Sequence, residues 1–329
     1  MRNVFKVSLV IAVAAMVVVT SAAARINRDV ATFSIVAHDP ATGESGVAVA
    51  SRFFAVGSVV PWAKGGVGAV ATQAYANTSF GWRGLELLEA GLTPHEVRNV
   101  LSRIDDDPTR RQFGIVDTDG RSVTYTGDNC TSWAGGKAGA KYAVQGNILT
   151  GEEVVVAMET TFLETEGTLS ERLYAALVAG EEAGGDSRGK QSAAILVVKE
   201  GAGYGGYSDQ AIDVRVDDHP EPFKELGRIL KIGQMNYAWN EAWTLFSKAD
   251  YRVALPPMER AALLAPDYAE VHYDLACIRL AVGDETGALE ALERALKLNP
   301  KLVAQAGSDT DLDNLRKNDA FTTLLESYR

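Results

Sequence analysis

Thr32 opens a strand-like stretch, residues 32–39, and its side chain is the first candidate for chemistry in this sequence. A threonine hydroxyl is a poor nucleophile until a base removes its proton. If Thr32 were the first residue of the mature chain, its own α-amine could act as that base, because an α-amine has a reference pKa of about 7.7–8.0. Attack on an amide carbonyl would then form an acyl-enzyme. The alternative is that Thr32 is only a β-branched strand residue.

Three further residues are predicted to take part in catalysis. Ser34 lies two positions after Thr32 and therefore on the same face of the strand. Asn147 ends a strand, where its side-chain amide could donate a hydrogen bond to an oxyanion or serve only in a turn. Asp186 stands in a glycine-rich turn, where with Arg188 it either orients a site or forms an internal ion pair that fixes the loop.

Six residues are predicted to bind the substrate, because they are polar or cationic and stand at strand ends or in glycine-rich segments. A cation beside Thr32 would lower the pKa of its amine and attract a substrate carboxylate. Arg52 and Lys64 are the cations considered for this role, and a surface salt bridge is the alternative for each. The predicted substrate-binding residues are Ser51, Arg52, Lys64, Arg188, Gln191 and Ser192.

The N-terminus predicts a protein exported to the periplasm or the medium. Two cations, Arg2 and Lys6, precede an apolar run at residues 7–20, and small residues follow at 21–24. These are the three parts of a secretory signal peptide, which we place at residues 1–24. The alternative is an uncleaved membrane anchor, because the apolar run is borderline in length for a transmembrane helix.

Residues 25–31 would remain ahead of Thr32 after this cleavage, and we predict that they form a pro-segment. Signal peptidase cutting after Ala31 would place Asp29 at a position that requires a small residue, so that route is disfavoured. The sequence therefore leaves two outcomes. Either a second cleavage, which could be self-catalysed, exposes the Thr32 amine, or the amine stays blocked.

Composition and charge exclude several classes of partner. The chain has 329 residues, 47% of them hydrophobic, and a formal net charge of −11. A polyanion would be repelled, so neither nucleic acid nor an anionic membrane is an expected partner. No close Cys/His cluster is present in the sequence, so no metal and no cofactor are predicted. Cys130 and Cys277 either form one bridge or remain two buried thiols.

Strand and helix patterns alternate along residues 32–220. Hairpins are predicted around the turns at 39–43 and 117–120, further strands at 69–73, 142–147, 191–200 and 211–216, and helices at 84–90, 94–104, 152–164 and 169–182. The order is strands, two helices, strands, two helices, strands. It predicts two sheets stacked face to face with helices outside.

The C-terminal part of the chain repeats itself. Residues 254–266 and 288–300 share seven of 13 aligned positions at an offset of 34 residues, the period of the tetratricopeptide repeat. We predict a linker helix at 221–234, repeats at 235–268 and 269–302, and a capping helix at 312–328. A plain helical hairpin is the alternative, and Pro256-Pro257 should disturb the start of its helix. Because two repeats bury little surface alone, this region is expected to dock on the first domain.

Several long blocks carry a family resemblance: TFSIVAHDPATGESGVAVASRFFAVGSVVPWAKGGVGAVATQ, VQGNIL, AGGDSRGKQSAA and DVRVDDHP. Across residues 32–230 the sequence resembles the bacterial family catalogued as domain of unknown function 1028. That family is similar in fold to N-terminal-nucleophile hydrolases. The resemblance therefore implies an α+β fold, a four-layer αββα sandwich over residues 32–220, with the nucleophile of such a fold at the start of its first strand.

Two functions are consistent with these observations. The first is an exported amidohydrolase of the N-terminal-nucleophile type that acts through Thr32 on a small amide or peptide-like substrate. The second is a catalytically silent sandwich that serves as a binding module, with the helical repeats at 235–329 engaging a protein partner. The sequence does not decide whether the protein is a homo-oligomer.

Overall fold

The computed structural model describes residues 32–328, so the predicted signal peptide and pro-segment lie outside the described residues. The strands are β1 (Thr32–Asp39), β2 (Glu44–Ser51), β3 (Pro61–Lys64), β4 (Gly68–Ala74), β5 (Arg111–Asp117), β6 (Ser122–Thr126), β7 (Gly135–Gly139), β8 (Tyr142–Asn147), β9 (Ser192–Val198) and β10 (Gln210–Val216). The helices are α1 (Ser79–Glu89), α2 (Pro94–Ile104), α3 (Glu153–Glu164), α4 (Leu169–Glu182), α5 (Pro222–Ser247), α6 (Tyr251–Leu264), α7 (Ala269–Ala281), α8 (Glu285–Leu298), α9 (Leu302–Ala306) and α10 (Asp319–Glu326).

Two antiparallel sheets form the N-terminal domain. The six-stranded sheet has the order β10-β9-β2-β1-β8-β7, and the four-stranded sheet has the order β3-β4-β5-β6. Helices α3 and α4 cover the outer face of the larger sheet, and α1 and α2 cover the outer face of the smaller one. The predicted α+β class and four-layer αββα sandwich are therefore confirmed. Because β1 lies between β2 and β8, Thr32 begins a central strand.

The start of a helix is predicted most accurately where the sequence contains a recognisable capping motif. Thr93 and Glu96 form the predicted capping box at the start of α2, each side chain accepting from the backbone N–H of the other residue. Helix α1 begins at Ser79, earlier than the predicted start at Gly84. Asn77 explains this difference, because its Oδ1 accepts a hydrogen bond from the Ser79 N–H at 3.1 Å and supports the first turn.

Strands β3 and β7 were not predicted from the sequence. β3 is short and begins with Pro61 at the edge of the four-stranded sheet, which is where a sheet tolerates proline. β7 is rich in glycine, which hides the strand pattern. At Gly136 a Cβ would lie only 2.6 Å from the carbonyl oxygen of Val144 on the neighbouring strand. Close packing against β8, rather than strand propensity, therefore determines the residue at this position.

Successive residues of β1 point alternately into two different hydrophobic cores. Phe33 and Ile35 point toward α3 and α4, whereas Val36 packs between the two sheets. Thr32 and Ser34 have the same parity as Val36, so both face the space between the sheets, and the prediction that they share one face of the strand is confirmed. That space is apolar in the middle and polar at the end where β1 begins.

Helix α5 belongs to both regions of the chain. Its first half contributes Phe223, Leu226 and Leu230 to the core of the sandwich. Its second half contributes Met235 and Ala238 to a separate core formed with α6, α7 and α8. The predicted junction between linker helix and first repeat, at 234/235, thus lies inside one continuous helix.

Helices α5 with α6 and α7 with α8 form the two hairpins expected of tetratricopeptide-like repeats. The prediction that Pro256-Pro257 disturbs the start of its helix is wrong: α6 begins at Tyr251 and continues through both prolines, with Ala254 and Met258 fully buried on either side. In place of the single capping helix predicted at 312–328, the structure has two separate helical segments. A 3-10 segment, Thr310–Lys317, comes first, and Asn318 then caps a separate α10 through its Oδ1.

Cys130 and Cys277 are not linked to each other by a disulfide: Cys130 is partly exposed and Cys277 is buried, and burial raises the pKa of the Cys277 thiol. Between residues 32 and 328, no helix is both long and apolar enough to cross a bilayer. The same part of the chain holds no group of three or more His, Cys, Asp or Glu side chains that could bind a metal ion.

Candidate functional site

Thr32 lies between two polar strand neighbours. It pairs with Ser51 on β2 and with Asn147 on β8. Its Oγ1 donates a hydrogen bond to Ser51 Oγ at 3.2 Å, and its backbone carbonyl accepts one from Gln73 Nε2 on β4 at 3.1 Å. The Thr32 side chain is fully buried. Both sheets therefore contribute to fixing this residue.

A buried group of amide side chains, which we call the amide cluster, fills the polar end of the sandwich. Its members are Gln73, Gln112, Gln145 and Asn147, on strands β4, β5 and β8. Gln73 Nε2 and Asn147 Nδ2 both donate to Gln112 Oε1, at 2.8 and 3.0 Å. Hydrogen bonds of this kind across the two sheets fix the spacing of the layers as well as the side-chain orientations.

Ser34 is held inside this cluster. Its hydroxyl donates to Gln73 Oε1 at 2.5 Å and accepts from Gln145 Nε2 at 2.7 Å. A hydroxyl has one proton to donate, and here that proton is already committed to Gln73. Ser34 is therefore better placed to position Gln73 and Gln145 than to act as a nucleophile.

Two acceptor atoms of the cluster are unsatisfied. Gln145 Oε1 and Asn147 Oδ1 are buried and have no hydrogen-bond partner among residues 32–328. A buried acceptor left unpaired costs about 1–3 kcal/mol. A bound water or a substrate N–H group would satisfy these atoms, so they mark where such a donor can bind.

Backbone strain coincides with the cluster. Ala74 and Ile148, which directly follow Gln73 and Asn147, have φ values of 64° and 55°. A β-branched residue in this conformation is an outlier, and such strain costs about 1–3 kcal/mol per residue. Hydrogen bonds hold Ile148 in place, since its N–H donates to the Thr131 carbonyl and its own carbonyl accepts from the Ser187 N–H.

Asp186 connects a loop to the end of β2. Its buried carboxylate accepts the Arg52 N–H at 2.8 Å and forms an ion pair with Arg188 at 3.0 Å. The Arg52 guanidinium in turn donates to the Arg188 carbonyl at 3.1 Å. The structure thus contains the internal ion pair that the sequence left as one of two alternatives. It also brings two arginines together beside Ser51.

Ser192 and Gln191 have structural partners of their own. Ser192 pairs with Ser51 across the β2–β9 register, but its hydroxyl donates to the Phe53 carbonyl at 2.5 Å and accepts from the Val56 N–H at 3.1 Å. It therefore holds the turn after β2. Gln191 donates its side-chain N–H to Asp218 at 3.1 Å, near the beginning of the segment that leads into α5.

Lys64 is not near Thr32, so the prediction that it supplies a cation there is corrected. Lys64 pairs with Gly68 at one end of β4, whereas Gln73, which contacts Thr32, is near the other end. Gly68 and Gln73 are five residue steps apart along the strand, a distance of about 17 Å. Lys64 instead forms an ion pair with Glu89 at 2.5 Å. The antiparallel turn between β3 and β4, which the sequence did not predict, causes this placement.

Gln73, Gln112 and Gln145 were missed by sequence reasoning. A signal was present: Ala69, Ala71 and Gln73 have the same parity on β4, so a buried face that begins with alanine ends with glutamine. A polar residue that continues an inward-facing row predicts a buried polar site. The partner strand could not be identified without the register.

Comparison with known proteins agrees with this architecture. A family model described as "Family of unknown function (DUF1028)" matches residues 32–226, and a tetratricopeptide-repeat model matches residues 269–302. The crystal structure of protein SPO2555 from Silicibacter pomeroyi, itself assigned to DUF1028, matches with a TM-score of 0.56 and 31% sequence identity. The match covers 62% of this chain and 89% of that one. No curated protein matches the chain.

Proposed function

The chain belongs to the DUF1028 family, and from that premise we propose that it is an exported amidohydrolase in which Thr32 attacks a small amide or peptide-like substrate. One observation carries this proposal. Thr32 is the first residue of a central strand, and its hydroxyl lies in the polar end of the sandwich, 3.2 Å from Ser51 Oγ. An N-terminal nucleophile needs this combination of chain position and polar surroundings.

Thr32 supplies both the nucleophile, through its hydroxyl, and the general base, through its α-amine. The Thr32 α-amine takes the hydroxyl proton while Oγ1 bonds to the carbonyl carbon, and the carbonyl electron pair moves to oxygen. As the oxyanion collapses, the C–N bond breaks and the leaving amine takes the proton from the α-ammonium. Water then adds to the ester with the amine again as base, which releases the acid and restores Thr32.

The neighbouring residues have distinct roles in this scheme. Asn147 uses one Nδ2 proton for Gln112, and its second N–H is the proposed oxyanion donor. Ser51 Oγ orients the Thr32 hydroxyl. Arg188, paired with Asp186, and Arg52, whose guanidinium donates to the Arg188 carbonyl, supply positive charge for a carboxylate on the substrate.

Catalysis requires a cleavage between Ala31 and Thr32. Thr32 is fully buried, so catalysis requires both a free amine and access of the substrate to its hydroxyl. The signal-peptide pattern at residues 1–24 supports export as the first processing step. A second cut, which removes residues 25–31, would complete maturation.

The test is the N-terminus of the mature protein. The full-length chain is expressed in a bacterium that exports it, recovered from periplasm and medium, and analysed by N-terminal sequencing and intact mass. A start at Thr32 is expected. A protein that starts only at Arg25, or that retains Met1, has no free Thr32 amine, and this mechanism would have to be abandoned.

A second candidate function is a binding module, and the complete burial of Thr32 favours it. In that case Thr32 and Ser34 are structural members of the polar end, already hydrogen-bonded to Ser51 and Gln73. The tetratricopeptide repeat at 269–302 supports interaction with a protein partner. A mature chain that starts at Arg25 is the result that this function predicts.

A further inference from the structure

A cavity of about 600 Å³ lies where the helical region meets the sandwich. It is lined by the glycine-rich loop between β9 and β10, by the start of β10, by α5 and by Asp274 of α7. Its aromatic and acidic lining residues are Tyr204, Tyr237, Trp239, Trp243 and Asp274. This volume is in the range of small-molecule sites. The residues that line the cavity are far from Thr32 in the sequence. An inference about this cavity does not depend on the function proposed above.

The loop that lines the cavity is hydrogen-bonded to α5. Asn240 Nδ2 donates to the Gly203 carbonyl at 3.0 Å, and Asn240 Oδ1 accepts the Gly205 N–H at 3.0 Å. This anchoring holds Tyr204 at the cavity while the residue remains 89% exposed. A large aromatic ring kept in solvent by specific hydrogen bonds of its loop has no role in the core.

Asp274 gives the cavity a negative charge. Trp239 Nε1 donates to its Oδ2 at 2.7 Å. Among the described residues that line the cavity there is no lysine or arginine, so the carboxylate has no cation beside it there. Burial, together with the nearby Asp309 and Asp311, raises the pKa of Asp274 to about 6, which leaves the carboxylate mostly ionised at neutral pH.

We propose that this cavity binds an organic ammonium ion, with the charged group over the tryptophan and tyrosine rings and near Asp274. Aromatic faces attract alkylammonium groups, and the attraction grows as water is excluded. A neutral occupant would remove water from the Asp274 carboxylate without compensating its charge. A cation of this class satisfies both the rings and the carboxylate.

Calorimetry on the full chain tests this inference with two matched pairs of probes. Choline is compared with its neutral isostere 3,3-dimethylbutan-1-ol, and a short uncharged peptide with one lysine is compared with the same peptide carrying norleucine. Binding of choline or of the lysine peptide at least tenfold tighter than its neutral match is expected. The tighter of the two cations identifies a free ion or a side chain as the source. Equal binding within both pairs, or no binding by either cation, would overturn the inference.

Three variants locate the binding. Asp274→Asn keeps an acceptor for Trp239 but removes the charge, and Tyr204→Ala removes an exposed ring without touching the core. Each should weaken binding of the preferred cation at least tenfold. Tyr207→Ala is the control, because Tyr207 is in the same loop and 94% exposed but does not line the cavity. If Tyr204→Ala binds the cation as well as Tyr207→Ala does, the assigned cavity is wrong, whether or not Asp274→Asn folds.

Discussion

Thr32 and Ser51 meet hydroxyl to hydroxyl, with Oγ1 and Oγ 3.2 Å apart across the pairing of β1 with β2. The contact joins the first residue of β1 to the last residue of β2. Both side chains face the four-stranded sheet at the level of the amide cluster, where Gln73 reaches the Thr32 carbonyl. The same end of the sandwich thus contains the candidate nucleophile and the polar groups that fix it.

Substitution of Thr32 should separate catalysis from folding. Thr32→Ala removes the nucleophile and should abolish amide hydrolysis, while Thr32→Ser keeps the hydroxyl and the amine and should retain part of it. Turnover of a panel of N-acyl compounds and short peptides by the mature forms measures the effect. Loss of the Ser51 contact should cost no more than about 1–2 kcal/mol of unfolding free energy.

A blocked form of the same site is the control. A variant with an uncleavable residue ahead of Thr32 keeps the hydroxyl, but the Thr32 nitrogen stays in a peptide bond and cannot act as a base. This variant should be inactive. Hydrolysis by Thr32→Ala at the wild-type rate would show that Thr32 is not the nucleophile, and Ser51 would then be the nearest hydroxyl to examine.

Gln73 should contribute strongly to stability. Gln73→Leu has a similar volume but removes one buried hydrogen bond each from Ser34, Gln112 and the Thr32 carbonyl. We expect a loss of about 2–4 kcal/mol, because buried polar groups that lose their partner pay their desolvation cost. Urea denaturation measures it. Gln210→Leu, on the exposed face of β10, is the matched control and should change stability by about 0.5 kcal/mol or less.

Glu44 should make stability depend on pH. Burial raises its pKa, and the Tyr237 hydroxyl opposes this only in part. A carboxyl whose folded pKa exceeds its unfolded value stabilises the fold while protonated, and this contribution is lost as pH rises through the folded pKa. Glu44→Gln imitates the protonated form, so it should be more stable than wild type at pH 7.5, by about 1 kcal/mol.

The difference between Glu44→Gln and wild type should disappear near pH 4, as measured by thermal unfolding at both values. Glu200→Gln, at an exposed position, should track wild type throughout. A stabilisation by Glu44→Gln that is as large at pH 4 as at pH 7.5 would show that the effect does not come from this ionisation.

Truncation tests how α5 is shared between the two regions. A chain that ends at Leu230 keeps Phe223, which stacks on Phe33 with ring centroids 6.2 Å apart, and should be soluble and unfold cooperatively. A chain that ends at Pro220 loses Phe223, Leu226 and Leu230, each worth about 1.5–3 kcal/mol of burial, and should be much less stable. Circular dichroism and urea denaturation measure both. Aggregation of the longer form would show that α6–α8 bury essential sandwich surface.

Local patterns were enough to predict most of the elements. The capping box at Thr93 predicts the start of α2, and α4 has its predicted bounds, because capping and 3.6-residue periodicity are properties of neighbouring residues. The 34-residue offset likewise predicts the second repeat at the residues that the family model matches. The parity of β1 predicts that Thr32 and Ser34 share a face.

The composition of the candidate site depended on the tertiary structure. Which strands pair, and in what register, is determined by contacts between residues far apart in sequence. Only that pairing brings Gln73, Gln112 and Gln145 to Thr32, and it places Lys64 at the other end of β4. The sequence by itself determined the layers and the residue that begins β1. The fold decided which polar groups surround that residue, because their side chains meet only after two sheets have packed together.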